Sequence, residues 1–222
     1  MISSKNKHNG FAIALAWPET QCKEAGAWYD GLMRMININK NGYYKVGHAA
    51  IVLVEDISRR CHYFDFGRYH APHGHGRVRS ATTDHDLKIF TKAVIDEGKF
   101  SIANLNDILL ELANNSSTHG TGTIYGSLYR IDFDKGSELV RNMQEQDFLP
   151  YGPFIRNGTN CSRFVNSVLQ ESDISLIQSI VLKLPWMLTP TPLYNLKAGH
   201  GPMTLIEDTV KNEQQSYIFQ TS

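Results

Sequence analysis

The sequence predicts an α+β protein in which an antiparallel sheet packs against a helix. Two strand-like runs, Gly47–Val54 and Cys61–Gly67, flank the polar segment Glu55–Arg60, and this pattern predicts a β-hairpin. A helix is predicted to begin at Cys161, because apolar residues recur behind it at helical spacing, namely Phe164, Val165, Val168 and Leu169. The chain has 222 residues, 41% of them hydrophobic, which is enough to bury a core without disulfides.

The other elements follow from apolar spacing and from turn residues. The apolar run Phe11–Trp17 predicts a buried strand, and Gln21–Met35 has helical spacing. Further along, the pattern predicts a long ordered loop over Arg68–Asp86, a strand or short helix over Leu87–Val94, helices over Leu105–Leu112 and Asp134–Gln146, and a strand over Thr121–Phe133. Prolines beyond residue 183 predict an extended surface segment from about that point. No linker divides the chain, so residues 1–222 are expected to form one domain.

Composition argues against several classes of function. The chain has 22 Lys and Arg and 22 Asp and Glu, so its net charge of zero gives no field to attract nucleic acid or an anionic membrane. No apolar window approaches the ~20 residues of a transmembrane helix, and the N-terminus lacks the pattern of a secretory signal. The three cysteines lack the spacing of a disulfide framework or a zinc site. We therefore expect a soluble, cytoplasmic protein with free thiols and no cofactor or metal.

Cys161 is the strongest candidate for a reactive residue. A thiol in the first turn of a helix lies beside unpaired backbone N–H groups and the positive end of the helix dipole, and both favour the thiolate. The same N–H groups can donate to an oxyanion that forms on a substrate carbonyl. The structural alternative is that Cys161 is simply the first core residue of an amphipathic helix, since buried free cysteines are common.

His48 is the candidate base. It begins a strand that otherwise consists of apolar residues, where a hydrogen-bonded core histidine is the usual interpretation. If Val54 lies opposite Cys61 in the hairpin, Asp65 falls opposite Ala50, on the same sheet face as His48. A carboxylate at that place can orient the imidazole and stabilise its charged form. We expect this face to meet the helix that begins at Cys161, although a slip of one residue would turn Asp65 away.

Three motifs resemble a known superfamily. G-H-A-A-I-V-L-V, Y-F-D-F-G-R-Y and N-C-S-R-F-V are similar to motifs of the circularly permuted branch of the NlpC-type papain-like cysteine peptidases, in which the histidine strand precedes the cysteine helix. This branch is similar to lecithin–retinol acyltransferase-like proteins and includes an uncharacterised bacterial family that the chain resembles over most of its length. The resemblance implies a permuted papain-like fold with Cys161 as the nucleophile, His48 as the base and Asp65 as the orienting residue. Tyr151 is a further candidate for substrate positioning or oxyanion stabilisation, and the alternative interpretation is an aromatic side chain packed under the loop.

The predicted function is that of a thiol hydrolase or an acyltransferase that forms a thioester intermediate. By resemblance, peptide or cell-wall amides are the leading substrates and lipid acyl groups come next. Arg68, Arg77 and Arg79 could orient an anionic group of the substrate by bidentate contacts. A different class of function is a binding module that keeps the cleft without turnover.

Two alternative sites remain open at this stage. Cys22 precedes His48, which is the order of unpermuted papain-like enzymes, and it lies at the start of a predicted helix. His70, His73 and His75 provide nitrogen ligands for a transition metal, but their loop is a poor match for known ligand spacings. The competing interpretation of this loop is a solvated rim beside a cleft.

Overall fold

A seven-stranded antiparallel sheet is the largest element of the computed structural model, which describes residues 8–23, 39–40, 43–44, 46–152, 155, 157–183 and 190–206. In chain order the strands are β1 (Gly10–Trp17), β2 (Cys22–Lys23), β3 (Asn39–Lys40), β4 (Tyr43–Tyr44), β5 (His48–Glu55), β6 (Cys61–Gly67), β7 (His75–Arg79), β8 (Ile95–Asp96), β9 (Ser101–Ile102), β10 (Ile124–Ile131), β11 (Leu149–Pro150) and β12 (His200–Ile206). The large sheet has the order β11-β7-β6-β5-β1-β10-β12. The remaining strands form two small antiparallel sheets, β2-β4-β3 and β8-β9.

Helices accompany the sheet, so the predicted α+β class is confirmed. The α-helices of the described residues are α1 (Leu105–Ala113), α2 (Phe133–Gln144), α3 (Cys161–Glu171) and α4 (Leu176–Lys183). Short 3-10 helices cover His85–Leu87, Ser116–Thr118 and Pro192–Leu196. Among these described residues, no helix has the length and apolar character needed to cross a membrane.

The central strands are buried on both faces, which explains their continuous apolar runs. Alternate residues of β1 face opposite sides of the sheet. Its alanines face the same side as Ala49 of β5 and join the core that contains Phe164 and Val165 of α3. Helix α3 packs over β5 and β6, and the 3-10 helix Pro192–Leu196 packs over β1. The larger Ile13, Leu15 and Trp17 point to the other side, where they join the apolar face of α1. The site helix therefore lies on the alanine face of the sheet.

The β5–β6 hairpin has the predicted register. Val54 pairs with Cys61, and Ala50 pairs with Asp65. Helix α3 also begins at Cys161 as predicted, because the side chain of Asn160 caps it by accepting from the backbone N–H of Arg163 at 2.9 Å.

Several sequence predictions differ from the structure. The loop predicted over Arg68–Asp86 contains β7, which the His, Arg and Gly composition of this segment concealed. Leu87–Val94 is neither strand nor helix beyond the 3-10 turn that ends at Leu87, because side-chain oxygens of Glu111 accept from the N–H groups of Phe90 and Thr91 in place of a backbone ladder. In the predicted helix Gln21–Met35, the structure has β2 at its start, and residues 24–38 lie outside the described part.

The C-terminal described segment, residues 190–206, completes the sheet edge. Strand β12 pairs with β10. In the preceding 3-10 helix, Asn195 is fully buried, and its Nδ2 donates to the carbonyl of Ser162 at 2.8 Å. Its own carbonyl accepts from the Tyr129 hydroxyl at 2.5 Å, and its Oδ1 accepts from Asn166 at 3.0 Å. The segment therefore holds helix α3 against the sheet.

Truncation after Lys183 is expected to destabilise the protein by about 3 kcal/mol or more, because it exposes apolar core and leaves buried polar groups without partners. Truncation after Ile206 is the matched control, since it keeps β12 and all of the Asn195 hydrogen bonds. The measurement is urea-induced unfolding of both variants. Equal unfolding free energies for the two truncations would show that residues 184–206 contribute nothing to stability.

Candidate active site

Cys161 occupies the first residue of α3, where the helix begins beside the start of β5. Its side chain is 8% exposed and contacts the imidazole of His48. The backbone N–H of Ala49 donates to the sulfur, which adds a second stabilising contact for the thiolate. The first-turn position that favours an anion is therefore combined with a cationic partner.

His48 is the first residue of β5 and is 5% exposed. Its Nε2 lies 3.3 Å from Oδ2 of Asp65, which leaves Nδ1 as the ring nitrogen available to Cys161. The imidazole stacks on Trp17, its cross-strand neighbour on β1, with ring centroids 5.7 Å apart. The ring is thus held on one side by an aromatic plane and at one nitrogen by a carboxylate.

The sheet face that carries His48 is opposite to the one expected. Trp17 and Tyr63, which contact His48 and Asp65, belong to the core on the α1 side, whereas α3 packs on the alanine side. Cys161 meets His48 because both residues lie at the ends of their elements, where the thiol reaches the start of β5. The expectation that the His48–Asp65 face meets the helix is therefore wrong, although the three side chains do come together.

Asp65 is fully buried and accepts three hydrogen bonds from Arg79 and Tyr63 in addition to its contact with His48. Arg79 donates from Nε to Oδ1 at 3.0 Å and from a terminal nitrogen to Oδ2 at 2.6 Å. The hydroxyl of Tyr63 donates to Oδ2 at 3.0 Å, beside the contact with His48. Arg79 is itself 3% exposed, and its guanidinium lies 3.4 Å from the ring centroid of Tyr69. A bidentate, hydrogen-bonded pair of this kind is what a charge needs in a protein interior.

Sequence reasoning missed this role of Arg79. It considered the residue only as a ligand for an anionic substrate, whereas the guanidinium is committed to Asp65. The β6–β7 pairing places Arg79 directly opposite Asp65, so the signal was a strand that the sequence did not reveal. Arg77 is likewise committed, since its terminal nitrogens donate to Asp84 at 2.9 and 2.8 Å.

The electrostatics favour an ion pair between Cys161 and His48. Burial alone would lower the pKa of His48, but hydrogen bonds and charges from Asp65 and Cys161 outweigh it and raise this pKa to about 9. Burial would raise the pKa of Cys161, but the hydrogen bond and charge of His48 lower it. The pKa of Asp65 is lowered in the same way, against burial, by His48 and Arg79. The charges therefore alternate in sign along the row from Cys161 to Arg79: thiolate, imidazolium, carboxylate and guanidinium.

A cavity of about 180 Å³ opens onto Cys161 and His48. Its other lining residues are Thr20, Gln21, Phe66, Gly67, Arg68, Tyr69, His119 and Tyr151. Both weaker sequence candidates, Tyr151 and Arg68, are therefore at the cavity, with the Arg68 guanidinium 5.3 Å from the Tyr151 ring centroid. Tyr69 and His119 were not anticipated, and they stack on each other at 5.0 Å.

The alternative sites receive less support. Among the described residues, no group of three or more His, Cys, Asp or Glu side chains could hold a metal ion, so the loop of His70, His73 and His75 offers no ligand set. Cys61 is buried in β6, and burial raises the pKa of its thiol to about 12. The side chain of Cys22 lies outside the described part of the chain.

Comparison with known proteins identifies the family. The profile of the type VI secretion system effectors described as TseH-like matches residues 12–176, which is most of the chain. The chain belongs to this TseH-like family. A crystal structure of the type VI secretion system effector TseH superposes with a TM-score of 0.53 at 18% sequence identity, covering 91% of this chain and 100% of that one. At this identity the likeness shows a shared fold alone. No curated protein matches the sequence.

Membership of the TseH-like family overturns the expected cytoplasmic location. Type VI effectors are secreted and delivered to target cells, so the protein is not simply cytoplasmic. The expectation rested on the lack of a secretory signal pattern at the N-terminus. That pattern reports on one export route only and is uninformative about a dedicated secretion system.

Arg79→Met is expected to lower the free energy of unfolding by about 3–5 kcal/mol near neutral pH, because it leaves the Asp65 carboxylate buried without its cation. Asp65→Asn removes that charge, so the double variant is expected to be less destabilised than the sum of the two single variants. The measurement is a double-mutant cycle by urea denaturation. Additive losses would mean that the two side chains are not energetically coupled.

Proposed function

We propose that this TseH-like effector is a cysteine hydrolase or acyltransferase that uses Cys161 as its nucleophile, His48 as its acid and base, and Asp65 as the residue that orients His48. The observation that carries the proposal is the position of the His48 imidazole between the thiol and a buried carboxylate, with the pKa of His48 raised and that of Cys161 lowered. A structural cysteine in an apolar core has the opposite shift, as Cys61 does.

In the proposed reaction the Cys161 thiolate attacks the carbonyl carbon of an amide or ester. A bond forms between sulfur and carbon, and the carbonyl oxygen becomes an oxyanion that backbone N–H groups at the start of α3 can stabilise. Collapse of this intermediate breaks the bond to the leaving group, which takes its proton from the His48 imidazolium. Water then attacks the thioester while neutral His48 accepts its proton, and collapse of this second intermediate breaks the carbon–sulfur bond, which releases the acid and restores the thiolate and imidazolium pair. An acceptor nucleophile in place of water gives acyl transfer.

We further propose that the fold is the permuted papain-like arrangement of the NlpC-type branch. Supporting this proposal are the chain order, with the histidine strand β5 ahead of the cysteine helix α3, and the contact between the two at the sheet end. The matched positions of Cys161, His48 and Asp65 agree with the motifs of that branch. The charge of the Asp65 carboxylate is neutralised by Arg79. The motif resemblance alone did not include Arg79 as this partner.

Peptide or cell-wall amides are the proposed substrates, with lipid acyl groups as the second candidate. The cavity of about 180 Å³ is smaller than the roughly 300–1,000 Å³ of typical ligand pockets, so it would admit only the reacting portion of a larger substrate. Its wall combines the aromatic rings of Tyr69 and Tyr151 with the Arg68 guanidinium, which suits a planar or anionic group beside the scissile bond. An effector delivered to target cells would encounter such substrates there.

A binding module without turnover is the second candidate. It is favoured by the low exposure of the two central residues, 8% for Cys161 and 5% for His48, which restricts access to the sulfur. The two candidates differ in whether Cys161 reacts with an electrophile in the folded protein.

Cys161 is expected to be alkylated by iodoacetamide at mildly acidic pH, well below the range of an ordinary thiol. The thiolate is lost only as the pH falls through the lowered pKa of Cys161, and its imidazolium partner is lost as the pH rises through about 9. His48→Ala should therefore shift the alkylation profile to higher pH, and Asp65→Asn should shift it in the same direction by less. The measurement is the alkylation rate against pH by mass spectrometry.

A Cys22→Ala, Cys61→Ala background isolates the thiol of interest, and the Cys61 peptide of the wild type is an internal control that should stay unlabelled. An unchanged profile for His48→Ala would make His48 a core histidine and remove the proposed base. Inert Cys161 in the folded wild type would favour the binding module.

With an activated ester such as p-nitrophenyl acetate, the wild type should release a burst of nitrophenolate close to one equivalent and carry one acetyl group on Cys161. Cys161→Ala should abolish both signals, while Cys61→Ala should retain them. The measurements are stopped-flow absorbance and intact-protein mass. Acetylation that maps to Cys22 instead would place the nucleophile in the unpermuted order.

A further inference from the structure

A slot runs along one edge of β6, away from the Cys161 cavity. Strand β7 pairs with β6 only at Asp65, Phe66 and Gly67, and beyond Arg79 the chain turns away. Within the described chain, Cys61–Phe64 therefore have a strand neighbour, β5, on one side only. In an antiparallel ladder every second residue directs its N–H and C=O away from its partner, so backbone groups of this stretch point along the sheet plane into the slot.

The slot is a cavity of about 750 Å³. All of the consecutive residues Arg60, Cys61, His62, Tyr63 and Phe64 line it. Because alternate residues of a strand face opposite sides of a sheet, a cavity that touches every one of them must lie at the strand's edge and not over a face. It shares no lining residue with the cavity at Cys161.

The walls of the slot continue the two layers that cover the sheet. On one side lies the segment that contains Leu87, Ile89 and Phe90, and on the other lies α2 with Phe133 and Val140. An extended chain in the slot would therefore point its alternate side chains at two apolar walls, as a strand inside this sheet does.

The Lys, Arg, Asp and Glu side chains that line the slot are all of one sign. Its basic side chains are Arg60, Lys88, Lys92 and Arg141, and none of its described members is acidic. The whole chain has zero net charge, so this local excess of cations is not a property of the composition. Exposed basic side chains around an open strand edge favour an occupant that carries carboxylates.

We propose that this slot binds an extended acidic segment of a partner protein, which adds a strand beside β6 in the place that β7 vacates. Backbone hydrogen bonds to Cys61–Phe64 supply the register, the two apolar walls hold alternate side chains, and the basic rim pairs with carboxylates. The site is independent of the proposed chemistry at Cys161, so Cys161→Ala is expected to retain it.

The probe is the peptide Ac-Glu-Glu-Val-Val-Val-Val-Glu-Glu-NH2 at millimolar concentration, in which the valines alternate between the two walls and the glutamates reach the rim. The Lys-for-Glu peptide is its charge-reversed counterpart. Amide hydrogen exchange by NMR on the full chain is expected to show that the acidic peptide slows exchange at every second amide of Cys61–Phe64 and that the basic peptide does not. Lys88→Glu and Arg141→Glu are each expected to weaken binding about tenfold or more. Lys99→Glu, whose wild-type side chain is 81% exposed and outside the slot, is the matched control and should leave binding unchanged.

Four results would overturn the proposal. Equal protection by the acidic and the basic peptide would remove the charge argument. Slow exchange in the free protein at those amides of Cys61–Phe64 that point away from β5 would mean that another part of this chain fills the slot. No protection by either peptide would mean that the basic rim only blocks strand addition. Protection by dodecanoate in place of the peptides would mean that the slot binds an anionic amphiphile.

Discussion

The buried carboxylate of Asp65 is the group on which the arrangement of the candidate site depends. It has no contact with solvent, and without a compensating partner a carboxylate in that position would become protonated or would not stay buried. Arg79 provides that compensation with two hydrogen bonds, and the Tyr63 hydroxyl provides a third. The carboxylate consequently stays ionised and can stabilise a positive charge on His48, which in turn stabilises a negative charge on Cys161. The four charges sum to zero, so the interior holds a polar row without a net buried charge.

This row exists because of strand register. The β5–β6 register sets Asp65 diagonally beside His48, and the β6–β7 register sets Arg79 opposite Asp65. A slip of one residue in either pairing would turn one charge to the other face of the sheet and leave its partner alone. The sulfur is added from outside the sheet, by a helix whose start is fixed by the Asn160 cap and which packs over β5 and β6. Thus the sheet positions three of the charges and one helix end positions the fourth.

The alternation of side chains along two regular strands was sufficient to predict that His48 and Asp65 share a face, because the hairpin has well-marked apolar runs and a polar turn. The start of α3 at Cys161 was predictable for a similar reason, since capping residues and apolar spacing are local signals. Arg79 was not predictable, because β7 is short and rich in His and Arg, and its strand character comes from pairing and not from its own composition. The prediction that α3 packs on the sheet face of His48 and Asp65 was wrong, because the alternation of residues along a strand does not show on which face a later helix packs. Secretion could not be inferred from the lack of a secretory signal pattern, because that pattern reports on one export route only.

The most direct test of the central claim is the titration of the His48 imidazole by NMR in the wild type and in Cys161→Ala. The wild-type imidazole is expected to stay protonated until the pH approaches about 9. In Cys161→Ala the thiolate that stabilises the imidazolium is gone while burial still disfavours it, so the pKa of His48 should fall. A wild-type His48 that titrates at or below its ordinary pKa of 6.5, with no change when Cys161 is removed, would contradict the ion pair.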